Sequence, residues 1–133
     1  MSIVFSPSTR NARSAAIIAQ FDLAATPGTL ELYSTTQPAA GADAGGSPMA
    51  TITLQKPCGT AVAGVVTFAT SQPAQIDPGG TVLWVRGKDG DGNWVLDGDA
   101  AVTGTPGAAF TLADVVLYAG AFVFLFEATL SEP

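Results

Sequence analysis

The sequence predicts an all-β fold, an antiparallel β-sandwich of jelly-roll-like form, preceded by one short N-terminal helix. Three observations carry this. Beyond residue 28 the apolar residues alternate with polar ones in short runs, the period of a strand that buries one face. The runs are divided by clusters of Gly, Pro, Asp and Ser at spacings of about 12 to 17 residues, as in sandwiches and barrels. Helical spacing of apolar residues occurs once, near the start.

Residues 1–7 form a short apolar arm, Ile3, Val4 and Phe5, closed by Pro7. Residues 8–25 are the helical segment. Ser8 or Thr9 can cap it, since a side-chain oxygen there accepts from free backbone N–H groups. Ile17 and Phe21 make an apolar pair four apart. Arg10 and Arg13 share a face of the first turn, either as a solvated polar face or as a pair that meets a partner's carboxylates; the helix dipole does not favour cations there. Pro27-Gly28 ends the segment.

The strand material follows as residues 30–33, 49–55, 64–70, 81–87, 93–102, 110–114, 115–119 and 121–130. Residues 36–48, TQPAAGADAGGSP, are a loop with too little apolar side chain to fold around. Residues 88–93, KDGDGN, are a hairpin turn of Gly and Asp. The 133 residues suit a single domain, 1–133, and no internal repeat divides them.

Composition excludes several functions. The chain has no histidine, hence no Ser-His-Asp or Cys-His pair and no imidazole metal ligand. Its one cysteine, Cys58, cannot form an internal disulfide or a zinc ribbon, and it reads as an inert small residue at a strand end. Five Lys and Arg against eleven Asp and Glu make a poor phosphate binder, so nucleic acid is not an expected partner. Only 12% of residues are charged, where an ordinary domain has about 25%. Such a neutral surface suits a subunit that faces another subunit. The start lacks a signal-peptide pattern, and the most apolar tract, 115–126, holds twelve residues interrupted by Gly120, too short to span a bilayer as a helix. A protein made in a cytoplasm, without a membrane partner, is expected.

Candidate sites are few. Asp89, Asp91 and Asn93 alternate like the start of a calcium loop, but Trp94 and Ala100 stand where an EF-hand needs Gly and Glu, so a plain turn is expected. Asp97 and Asp99 flank Gly98; paired carboxylates could do acid–base work, although a bulge or turn with exposed charges explains them as well. No nucleophile elbow, phosphate loop or metal-ligand spacing is present. The expectation is a non-enzyme without cofactor or metal.

Trp84 and Arg86 share one face of a strand. They either point outward as a stacked binding hot spot, or line a second buried face with Arg86 paired to Asp97 or Asp99. Phe122, Phe124 and Phe126 alternate along the closing run, with Val123 and Leu125 on its other face. A strand apolar on both faces is buried on both, its second side covered either by the helix or by another chain.

Taken together, the R-x-A-R helix at Arg10–Arg13, the G-x-L-x-x-Y strand at Gly28, Leu30 and Tyr33 followed by Pro38-Ala39, and the W-x-R-x-x-D-x-D-G hairpin at Trp84, Arg86, Asp89, Asp91 and Gly92 resemble small virion structural proteins of tailed bacteriophages, most of all capsid cement (decoration) proteins. The resemblance covers most of the chain, and its motifs concern fold rather than chemistry. It implies a jelly-roll-like sandwich that forms a homo-oligomer, a dimer or trimer, on the capsid surface of the virion and bridges neighbouring major capsid protein subunits. The partner-binding residues would be Arg10, Arg13, Trp84, Arg86, Phe122, Phe124 and Phe126. The alternative is a tail or baseplate protein, structural or receptor-binding, that stacks glycans on Trp84, Trp94 and Tyr33.

Overall fold

The computed structural model describes residues 3–62, 64–71, 74–123 and 129–131. The elements run α1 (Pro7–Phe21), β1 (Thr29–Tyr33), β2 (Ala50–Val62), β3 (Val65–Thr70), β4 (Ala74–Gln75), β5 (Gly80–Thr81), β6 (Trp84–Lys88), β7 (Trp94–Val102), β8 (Phe110–Leu112), β9 (Val116–Leu117), β10 (Phe122–Val123) and β11 (Thr129–Ser131). The fold is mostly β with one helix.

Helix α1 begins two or three residues earlier than a cap at Ser8 or Thr9 would place it. Ser6 is the N-cap, its hydroxyl accepting from the Thr9 amide at 3.2 Å, and Pro7 sits inside the first turn, where its missing N–H costs nothing. The helix stops at Phe21 rather than residue 25, with Asp22 as C-cap.

Six strands, in the order β3-β2-β1-β6-β7-β8, make one strongly curled sheet, and the short β11 pairs with both β3 and β8, the two edges. Seven of the described strands therefore form one curled sheet with a continuous ladder, and the two facing sheets of the expected jelly-roll-like sandwich do not appear among the described residues. A barrel-like closure also removes sheet edges. The antiparallel expectation fails at one pair: β7 and β8 run parallel, Ala100 beside Phe110. The chain doubles back over residues 103–109, where Gly104 and Gly107 take φ of +95° and +82°, and re-enters alongside β7. The runs 110–114 and 115–119 contain β8 and β9, and 121–130 contributes β10 and β11 to different sheets; β4–β10 and β5–β9 are two small ribbons beside the curled sheet.

The inner face follows the alternation read from the sequence. Leu30 and Leu32 of β1, Ile52 and Leu54 of β2, Val66 and Phe68 of β3, Val85 of β6 and Phe110 and Leu112 of β8 are buried in one cluster. Helix α1 packs over β2 and β3, with Ile17 and Ile18 against that cluster and Phe21 fully buried, edge-on to Phe68 at 5.5 Å. Two glycines allow close approaches here: a Cβ on Gly87 would stand 2.4 Å from Phe21 Cζ, and one on Gly28 would stand 2.7 Å from the Lys88 carbonyl oxygen and 3.1 Å from Phe21 Cδ1. The helix is too short to cross a membrane.

Candidate interaction surfaces

The outer face of β1, β6 and β7 carries the densest constellation of functional groups. Strand register puts Tyr33 beside Trp84, Glu31 beside Arg86, and Arg86 beside Asp97. Side chains in these positions meet across adjacent strands. The Tyr33 and Trp84 rings stack with centroids 4.4 Å apart, and the Arg86 guanidinium lies over the Trp84 ring at 5.2 Å. Arg86 donates to both carboxylate oxygens of Asp97, Nε to Oδ1 at 2.8 Å and Nη2 to Oδ2 at 3.0 Å. The Tyr33 hydroxyl donates to Glu31 at 3.1 Å, and Lys88 pairs with Glu31 at 3.0 Å.

Residues 36–48 cover this face. The Ala42 carbonyl accepts from Arg86 Nη2 at 2.6 Å, and the Gly41 amide donates to Asp97 Oδ2 at 3.2 Å. The Trp84 indole donates to Thr35 Oγ1 at 3.3 Å, and that hydroxyl donates on to the Ala44 carbonyl at 3.4 Å. Trp84 is left 0% exposed and Arg86 8%. Of the two readings of this pair, the structure shows the buried face with its ion pair to Asp97. The outward hot spot is corrected, because the loop supplies the cover that a two-strand view of the sequence lacks. For the same reason Tyr33 and Trp84 offer no open stacking platform; Trp94 stays half-exposed, its indole donating to Asp97 Oδ1 at 3.1 Å.

The ionisation states follow from this geometry. Burial works against the Asp97 carboxylate, but donation from Arg86, the Gly41 amide and the Trp94 indole outweighs it, and its pKa sits below the usual value. The same hydrogen bond to Asp97 holds the Arg86 pKa above its ordinary value. Burial, then the charge of Glu31 and the hydrogen bond to it, push Tyr33 up to about 12.

The acidic residues otherwise have local tasks. Asp89 accepts from the Asp91 and Asn93 amides, each at 2.9 Å, and from the Asn93 side chain at 3.2 Å, which ties the β6–β7 turn and lowers its pKa, the Asn93 amide contributing most. Asp99 accepts from the Ala109 amide at 2.9 Å while Asp97 faces Arg86, so the two carboxylates act separately. Among the described residues no group of three or more His, Cys, Asp or Glu gathers to hold a metal ion. Cys58 is fully buried within a register shift of β2. Its amide donates to the Asp22 carboxylate at 3.1 and 3.2 Å. Burial, then the Asp22 charge, push its thiol up to about 12. Sequence reading did not find this Asp22–Cys58 link, for the two are 36 residues apart and nothing local marks them.

The N-terminal arm is the second surface. Ile3 is 75% and Val4 89% exposed. Among the described residues no backbone hydrogen bond ties Ile3, Val4 or Phe5 to the rest of the chain. Phe5 is tethered by its ring, over which the Arg13 guanidinium lies at 4.4 Å. Arg10 joins Ile3, Val4 and Phe5 around an open pocket of about 280 Å³, and its side chain rests against Gly64 of the β2–β3 turn. The helix arginines thus stand at the root of the arm. On another part of the surface Tyr118 and Phe122 are 71% and 60% exposed. Phe124 and Phe126 lie outside the described residues.

Comparison with family models, with curated proteins and with solved structures gives no match, so the functional reading stands on these residues and their geometry.

Proposed function

We propose that this chain is a non-enzymatic capsid cement protein of a tailed bacteriophage, which stabilises the shell by bridging neighbouring major capsid protein subunits. The arm is the observation that carries the reading. Apolar side chains exposed as Ile3 and Val4 are cost free energy in a lone molecule, and among the described residues the arm's backbone is not engaged by the rest of the chain. Its backbone can add to a sheet edge of another subunit while Ile3, Val4 and Phe5 fill pockets there, which is strand addition. Arg13, stacked on Phe5, holds the root of the arm at a fixed place beside the barrel.

Exposed Tyr118 and Phe122 and a surface of low charge support the same role. A dimer or trimer of such units, each with its own arm, would gain retention from several weak contacts engaged together. The protein would be made in the host bacterial cytoplasm and reside on the capsid surface. The test is mass spectrometry and cryo-electron microscopy of virions from the phage or prophage that encodes the chain. Expected are many copies per particle and density for the arm against major capsid protein. Absence from the particle overturns the reading.

A further inference from the structure

We infer that residues 36–48 form a strap that opens as a unit while the barrel stays folded, latched by Arg86 and Asp97, and that its opening uncovers the Tyr33–Trp84–Arg86 face. The strap contributes no buried side chain of its own: every residue from 36 to 48 is exposed or intermediate. It is anchored at both ends, by Tyr33, whose carbonyl accepts from the Leu83 amide at 2.8 Å, and by the fully buried Met49, whose amide donates to the Leu32 carbonyl at 2.7 Å, while Thr35 moves with the strap.

Between those anchors the strap meets the sheet through few bonds. Arg86 holds the Ala42 carbonyl, Asp97 holds the Gly41 amide, and the Thr35 hydroxyl reaches Ala44. The remaining bonds are internal, Ala42 to Ala39 and Gly45 to Asp43. A segment held by few bonds and with little buried apolar area belongs to the low-stability end of a fold. The face beneath is the opposite. Tyr33 and Trp84 stack tightly, and Arg86 and Asp97 remain paired through side chains on neighbouring strands. Lifting the strap therefore breaks contacts to its backbone without breaking the ladder. What it uncovers is two aromatic rings and a guanidinium, the composition of a protein-binding hot spot. Opening therefore brings to the surface aromatic and cationic groups that the closed strap covers.

Hydrogen exchange followed by NMR on the unaltered protein tests this. Two protons report closure directly: the Gly41 amide on Asp97 and the Trp84 indole N–H on Thr35. Both are expected to exchange at least about a hundredfold faster than the amides of the β1–β6 ladder. Gly41→Ala acts at the strap's contact with the sheet, because φ there is +72° and the new methyl would sit 3.0 Å from the half-exposed Trp94 ring. That variant is expected to speed exchange at the Trp84 indole and elastase cleavage within 36–48 at least about tenfold, with ladder exchange unchanged. Exchange of the two reporters at the same rate as the ladder means that the strap moves only with global unfolding, and overturns the proposal. So does a Gly41→Ala protein whose strap is cleaved no faster than the original, or whose ladder loosens along with it.

Discussion

Replacing Gly87 by alanine sets one methyl group against Phe21. The added Cβ would lie 2.4 Å from Phe21 Cζ and 2.7 Å from Cε1, with Leu96 Cγ at 3.6 Å. Carbon atoms rest at about 3.5–4.0 Å, so the ring must retreat by about 1 Å. It has little room: Phe21 is fully buried, edge-on to Phe68, with its Cδ1 against Gly28. Overpacking of this kind costs about 1–3 kcal/mol. Gly87 does not occupy a positive-φ conformation, so the clash rather than the backbone sets the cost. We expect about 2 kcal/mol, read as a fall in Tm of about 8 °C or as a lower urea midpoint at unchanged slope. Phe21→Leu removes the offending ring edge. In that background Gly87→Ala is expected to cost less than about 0.5 kcal/mol, a coupling of about 1.5 kcal/mol between the two sites. Equal costs in both backgrounds would refute the reasoning, since the methyl would then be meeting something other than the ring.

Further expectations concern the polar groups. Cys58, buried and with its thiol pushed up to about 12, should resist alkylation at pH 8 and react only as the protein unfolds; fast labelling of the native protein contradicts the burial. Asp22→Ala strands the Cys58 amide and should cost about 1–3 kcal/mol, measured by urea unfolding. Asp97 and Asp89 have lowered pKa values in the folded state, so their contribution is complete above the unfolded value of about 3.9 and is lost as pH falls through the folded values. With no histidine in the chain, Tm should be level between pH 8 and 5 and fall below about pH 4. Asp97→Asn should flatten that acid limb, and a steep decline already at pH 6 would contradict the assignment.

The sequence by itself determined the class of fold and the inward residues. Strict alternation at Leu30/Leu32 and Ile52/Leu54 puts one set of side chains on one face, whatever the sheet closes onto, and those residues are in the core. The lone helix was legible for the same local reason, a 3.6-residue period between polar caps, although its first residue was not. Pro7 reads equally well as an end or a beginning, and only the Ser6 cap chooses.

Tertiary structure decided the rest. Closure into one curled sheet, and the parallel β7–β8 pair, depend on which strands meet across long loops, and alternation carries no information about that. Trp84 and Arg86 have the same local sequence whether they face solvent or a cover. Residues 36–48 turn that face into an interior through backbone groups, Gly41 N–H and the Ala42 carbonyl, which every residue except proline carries alike. A contact made by the main chain leaves no mark in the pattern of side chains, and so the cover over the strongest surface candidate became visible only when the chain was folded.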